Sequence, residues 1–206
     1  MEQLLIINGS PRATKSNSKR YANILISKLQ GKVETHYLNI LKQNHEEIRM
    51  AMLTATEVVL VFPLYVDAIP STLLQFLKYL EAYPLSQKPR ISMIINCGFI
   101  EYYQNDVAIE MVQLFCEQTA YPFGSVLSIG AGEAILGTPF KSLVERKINA
   151  FAKSIVRKKY RKLEVTMPLP KQVFVKASTK YWEAYGAKHG VTKEQMEVMT
   201  IEEIDK

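Results

Sequence analysis

The apolar residues of this chain fall into short runs, separated by stretches in which they recur every three or four positions. Residues 4–7, 58–62, 91–95 and 125–129 are the runs, and segments of that kind suit strands covered on both faces, as in a parallel sheet. Residues 33–38 mix polar and apolar side chains, which fits a strand near a sheet edge. Between the runs lie five helical faces: Tyr21, Ile24, Leu25 and Leu29; then Ile48, Ala51, Met52 and Ala55; then Leu73, Leu74, Phe76, Leu77 and Leu80; then Val107, Met111, Leu114 and Phe115; and last Phe140, Leu143, Val144, Ile148, Phe151, Ala152 and Ile155. Start signals precede them: Ser16–Ser18 as numbered, Asn44, Pro70 at a first helical position that needs no N–H, Asn105 with Asp106, and Pro139.

Five strands alternating with helices predict a single α/β domain over residues 1–160, with a doubly wound five-stranded parallel sheet. Right-handed crossovers favour the order 2-1-3-4-5. The run Arg157-Lys158-Lys159-Tyr160-Arg161-Lys162 reads as the solvated end of the last helix, where cations suit the dipole. Pro168-Leu169-Pro170 then acts as a stiff linker. Residues 161–206 are expected to form a helical extension that packs on the domain or on a partner subunit. In it Tyr181, Trp182 and Tyr185 share one helical face, and Thr192 with Gln195 has the spacing of a capping box.

Composition narrows the class. At 206 residues and 48% hydrophobic content the chain can bury a full core. Its net charge of +6 suits acidic or phosphorylated ligands. A single basic run with no second tract does not make a nucleic-acid surface. Met1 leads almost directly into the first strand and no apolar run approaches membrane-spanning length, so a cytoplasmic protein with no membrane contact is expected. The two cysteines, Cys97 and Cys116, form neither a Cys-x-x-Cys pair nor a metal cluster and read as free thiols, and no metal site is expected.

Three predicted loops open at the carboxyl ends of strands, the edge at which doubly wound sheets bind ligands. The first, Asn8-Gly9-Ser10-Pro11-Arg12 and on to Ser16-Asn17-Ser18, leads from a strand into a helix. The free N–H groups and dipole of that helix attract an anion, and Ser10, Arg12, Ser16, Asn17 and Ser18 add donors around a phosphate. An ordinary strand–helix turn with a Ser/Asn cap is the alternative. The stretch has no Gly-x-x-x-x-Gly-Lys-Ser/Thr and no Gly-x-Gly-x-x-Gly, so it is neither a P-loop nor a dinucleotide fingerprint, and hydroxyls with one arginine suit a monophosphate. The second loop, Pro63-Leu64-Tyr65-Val66-Asp67, offers an amphipathic ring and free backbone groups to a heterocycle. The third, Asn96-Cys97-Gly98-Phe99, supplies small groups and a glycine able to adopt positive φ or admit a ligand. Cys97 reads there as a pocket thiol rather than a nucleophile, since no histidine is near it in sequence.

Taken together, Gly9-Ser10-Pro11-Arg12 with Ser16-Asn17-Ser18, Pro63-Leu64-Tyr65 with Ile69-Pro70 and Leu73, and Asn96-Cys97-Gly98-Phe99 resemble the three FMN-contacting loops of the NAD(P)H-dependent FMN reductase and quinone reductase family, within the flavodoxin-like proteins. The likeness covers residues 1–156. It implies a flavodoxin-like fold with FMN as cofactor, its phosphate held by Ser10, Arg12, Ser16, Asn17 and Ser18. Pro63, Leu64, Tyr65, Val66 and Asp67 would support the ribityl chain and ring, and Asn96, Cys97, Gly98 and Phe99 would close the other side. Implied as well are NADPH or NADH as reductant, hydride transfer through the flavin to a small-molecule acceptor (a quinone, nitro compound or free flavin), no catalytic side chain, and a homodimer or higher homo-oligomer. The third loop lacks the glycine-rich form common in the family. A flavodoxin-type electron carrier is the alternative, although such carriers resemble acidic proteins and this chain is basic. An anion-binding module without flavin is a third reading.

Overall fold

The computed structural model describes residues 3–198. Two compact units divide the chain, Met1–Met167 and Pro168–Lys206.

In the first unit β1 (Gln3–Asn8), α1 (Asn17–Leu29), β2 (Glu34–Asn39), α2 (His45–Thr54), β3 (Glu57–Pro63), α3 (Ser71–Ala82), β4 (Arg90–Asn96), α4 (Asp106–Thr119), β5 (Phe123–Ile129), α5 (Lys141–Val156) and β6 (Lys162–Val165) follow one another. The sheet is parallel throughout, in the order β2-β1-β3-β4-β5-β6. Alternate residues of each central strand point to opposite faces, and both faces are covered, which is why the runs are apolar apart from the small buried Ser92, Ser125 and Ser128. Leu5, Ile7, Val58, Leu60, Phe62, Met93 and Ile95 form one core with Ile48, Met52, Leu73, Phe76, Leu77 and Val112 from α2, α3 and α4. Leu4, Ile6, Val59, Val61, Ile94 and Leu127 are also buried, and α1 and α5 pack against each other and against strands β3 and β5. Each such side chain contributes about 1.5–3 kcal/mol of burial, so the runs that predicted the strands also hold the layers together.

The sheet has six strands, not five, and the error lies in the basic run. Helix α5 stops at Val156, and Lys158 takes a left-handed φ of 53°. The N–H groups of Lys158 and Lys159 donate back to the carbonyls of Ile155 and Ser154 at 2.9 and 2.8 Å, a hydrogen-bonded reversal at a helix end. The chain then runs along β5: Val126 N–H donates to the Arg161 carbonyl at 3.0 Å and Arg161 N–H to Ser125 Oγ at 3.2 Å. The Tyr160 ring lies 4.3 Å from the Arg90 guanidinium, and Lys162 pairs with Asp106 at 2.9 Å. These residues therefore make a turn and an edge strand rather than a solvated helix end, and the stretch expected to open the extension lies inside the sheet. Two smaller differences concern prolines. Pro70 is the cap residue just before α3 rather than its first member, and α5 begins at Lys141, after Pro139.

In the second unit α6 (Lys171–Lys188) turns through Gly190, at φ 75°, into α7 (Lys193–Glu197). The capping box is formed: Gln195 N–H donates to Thr192 Oγ1 at 3.3 Å, and Thr192 N–H to Gln195 Oε1 at 2.8 Å. A Cβ at the buried Gly186 would lie 2.7 Å from Met196 Sδ, so the absence of a side chain lets the methionine of α7 pack directly on α6. Tyr181, Trp182 and Tyr185 do share a face, with centroids 5.2–6.3 Å apart, and each is about half exposed. Among the described residues no helix is long and apolar enough to cross a membrane.

Candidate functional site

Strand order reverses between β1 and β3, and the loops after β1, β3 and β4 open there side by side. The first is built around Asn8, the buried last residue of β1. Its carboxamide N–H₂ faces the carbonyl of Ala13 (3.0 Å), Ser16 Oγ (3.3 Å), the Tyr37 hydroxyl (3.1 Å) and Asn39 Oδ1 (3.0 Å), and its Oδ1 accepts from Ser10 N–H at 3.0 Å. One side chain thus fixes the loop's start, middle and end. Ser16 caps α1, its Oγ accepting from Lys19 N–H at 3.1 Å and donating to the Ala13 carbonyl at 2.6 Å. That is the cap read from sequence, and its hydroxyl is engaged by the protein itself.

The other expected phosphate residues divide in two. Ser18 is buried, its Oγ accepting from Asn96 Nδ2 at 3.4 Å, while Asn17 donates to the Glu133 carbonyl at 3.3 Å and accepts from Arg20 at 3.0 Å. These two brace the loops. Ser10 is buried, with Oγ accepting from Arg12 N–H at 3.4 Å. The Arg12 side chain is exposed and its guanidinium makes no ion pair or hydrogen bond with any described residue. An arginine beside a helix N-terminus whose first N–H groups have no intrahelical acceptor is a donor set that fits a phosphate monoester.

In the second loop Leu64 N–H donates to the Asn96 carbonyl at 2.8 Å. Tyr65 and Ala68 exchange N–H···O bonds of 3.0 Å in each direction, closing a two-residue turn over Val66 (φ 47°) and Asp67 (φ 55°). Tyr65 is 41% exposed and Val66 98%. In the third loop Asn96 is buried and donates to the Phe62 carbonyl at 3.1 Å as well as to Ser18. Asn96 therefore ties loop three to β3, to the second loop and to α1. Cys97 is buried too, its thiol 3.6 and 3.7 Å from the carbonyls of Phe99 and Glu101, and burial pushes its pKa up to about 11. A neutral thiol at ordinary pH is a poor nucleophile, as expected. Gly98 does not take a positive φ; a Cβ there would meet nothing within 4 Å, so its glycine leaves open space instead. Phe99 is half exposed, and its carbonyl accepts from Ala131 N–H.

That last bond leads to a fourth loop, which the sequence reading did not count among the site residues. It follows β5 and carries the glycines whose absence of a side chain is required: a Cβ on Gly130 would lie 2.5 Å from the Ile100 carbonyl oxygen, and one on Gly132 2.7 Å from Asn96 Cβ. Gly132 N–H donates to the Cys97 carbonyl at 2.7 Å, and the buried Tyr21 hydroxyl donates to the Gly132 carbonyl at 2.6 Å. Burial raises the Tyr21 pKa well above the usual phenol value. Asn8, Tyr21, Tyr37 and Asn39 are the supporting residues that sequence reasoning missed. A polar residue closing a buried apolar run, as Asn8 does, was the one available signal. Two clefts of about 350 and 240 Å³ lie elsewhere, beside β6 and at the amino edge of the sheet, and their linings include the bonded pairs Lys162 with Asp106 and Tyr160 with Glu57.

An all-parallel sheet in this order, with three loops converging at its reversal, defines the flavodoxin-like fold. Solved structures bear the assignment out. A flavodoxin from Streptococcus pneumoniae TIGR4 is similar with a TM-score of 0.57 at 13% identity, over 76% of this chain and 99% of that one. An NADPH-quinone reductase from P. pentosaceus gives 0.55 at 13% over 76% and 98%, and an FMN-dependent NADH-azoreductase from Bacillus anthracis, in complex with FMN, gives 0.53 at 16% over 76% and 100%. No protein-family model and no curated protein matches the sequence.

Proposed function

We propose that this chain is an FMN-dependent NAD(P)H oxidoreductase of the flavodoxin-like reductases, taking electrons from NADPH or NADH and passing them to a small-molecule acceptor, and that it works as a homodimer or higher homo-oligomer. The observation that carries the reading is Asn96, whose bonds to Ser18, the Phe62 carbonyl and Leu64 N–H draw the three loops around one gap at the sheet's reversal. Arg12 and the first N–H groups of α1 would hold the phosphate, with Ser10, Ser16, Asn17 and Ser18 fixing the loop that presents them. Backbone and ring of Pro63, Leu64, Tyr65, Val66 and Asp67 would flank the flavin on one side, and Asn96, Cys97, Gly98 and Phe99 on the other. Bound FMN supplies the hydride acceptor and donor; the protein's part is position and the exclusion of water. The likeness in fold to a quinone reductase and to an FMN-dependent azoreductase supports the reading.

A flavodoxin-type carrier is the second reading, favoured by the likeness to the pneumococcal flavodoxin. Fluorescence titration with FMN and FAD tests what both share. FMN should bind with quenching and FAD at least about tenfold more weakly, because the first loop offers one charged phosphate donor and no dinucleotide fingerprint. Equal affinity, or none for either, would remove both readings.

A further inference from the structure

The turn in the second loop places a residue where its type is disfavoured. Tyr65 and Ala68 close it with two 3.0 Å bonds, and both central residues have positive φ. Two-residue turns of this kind select Asn or Gly, since an L side chain in the left-handed region crowds its own backbone, and a β-branched one most of all. Position 66 is valine, and its side chain is 98% exposed. It therefore gains nothing from burial in the fold to offset the strain. Strained residues that the fold does not explain concentrate at ligand contacts.

The surroundings say what the contact is with. Pro63 and Asn96 are partners in the β3–β4 register, so the half-exposed rings of Tyr65 and Phe99 follow directly from neighbouring strand ends. Val66 stands next to the first of them. Tyr65, Val66 and Phe99 are thus exposed apolar groups on the loops that leave adjacent strand ends, which suits a flat apolar compound, and the exposed Asp67 carboxylate at the other apex of the turn disfavours an anionic one.

Resting on the FMN oxidoreductase reading above, we infer that Val66 is an acceptor-contacting residue, whose isopropyl group is held out by the turn to pack against a flat, uncharged electron acceptor. Asparagine suits the turn and lacks the apolar contact, so V66N separates strain from binding. The oxidised, FMN-loaded protein is titrated without reductant with 2-methyl-1,4-naphthoquinone, and FMN affinity and Tm are measured alongside. The expected result is a Tm raised by about 2–4 °C, together with roughly five- to tenfold weaker naphthoquinone binding. Unchanged naphthoquinone affinity in V66N overturns the inference while leaving the FMN reading intact. A loss of FMN affinity as large as the loss of naphthoquinone affinity also overturns it, by putting the Val66 side chain, and not only its backbone, against the cofactor. A wild-type protein that takes up no FMN overturns the reading itself, and the inference with it.

Discussion

The Tyr21 hydroxyl donates a 2.6 Å hydrogen bond to the carbonyl of Gly132, joining the first turns of α1 to the loop after β5. Both groups are buried, and Gly132 N–H is in turn bonded to the Cys97 carbonyl. One phenol thus links the helix that opens the first loop to the segment that backs the third. Tyr21→Phe keeps the ring and leaves a buried carbonyl without its donor. The expected loss is about 1–2 kcal/mol, seen as a Tm lower by roughly 3–6 °C in thermal unfolding. A Tm within a degree of the parent would show that the bond contributes nothing.

The Arg12 guanidinium makes no ion pair or hydrogen bond with any described residue, so its removal should leave stability alone and act on the ligand. Arg12→Ala is expected to weaken FMN binding roughly ten- to a hundredfold, the effect of losing one charge-assisted hydrogen bond of about 1.5–3 kcal/mol. Fluorescence quenching reads it directly. An affinity unchanged by the substitution would place the phosphate elsewhere.

Ala120 ends α4 in the left-handed region at φ 58°, and Tyr121 N–H reaches back to the Cys116 carbonyl at 2.9 Å. Glycine is the residue this cap prefers. Ala120→Gly should relieve more backbone strain than it adds in unfolded-state entropy, for a net gain of about 0.5–1 kcal/mol. Chemical denaturation would show a higher midpoint at constant slope; a lower midpoint contradicts the cap assignment.

Both thiols are held neutral by burial, Cys97 at about 11 and Cys116 at about 12. At pH 8 roughly one Cys97 in a thousand is ionised in the folded protein. Iodoacetamide should therefore modify the native chain at least about a hundredfold more slowly than the denatured one at that pH. The sign of the linked pH effect follows. An acid whose folded pKa is raised contributes stability that is complete below its unfolded pKa near 9 and is lost as pH rises toward 11 and 12. Unfolding free energy should fall with pH above about 9, and less steeply in Cys97→Ser with Cys116→Ala.

Much of this was legible because it is local. The buried runs named four strands and the mixed segment 33–38 a fifth, Ser16 was read as the start of α1 where it is indeed the cap, and the capping box at Thr192 is present. What escaped depends on residues far apart in sequence. Strand β6 alternates over only four residues inside a cationic stretch, and its reason to exist is the edge of β5, with Val126 opposite Lys162 and Ile129 opposite Val165. Helix-dipole reasoning accounts for the same charges without any strand, so nothing local distinguished the two. The site shows the same division. Its loops could be named from sequence, but Asn17 and Ser18 turned out to engage the Glu133 carbonyl and Asn96, partners that only the fold supplies. Asn8 was passed over because its four acceptors lie on two stretches, the first loop and β2, which only the fold brings together.

The central claim is that the three loops hold FMN for two-electron exchange with a nicotinamide, and anaerobic mixing of the FMN-loaded protein with NADPH, and separately with NADH, tests it most directly. The account predicts rapid loss of the yellow flavin absorbance with at least one nucleotide, and its return when a quinone is added. Flavin absorbance that persists with both nucleotides would contradict the reductase and leave the fold serving an electron carrier.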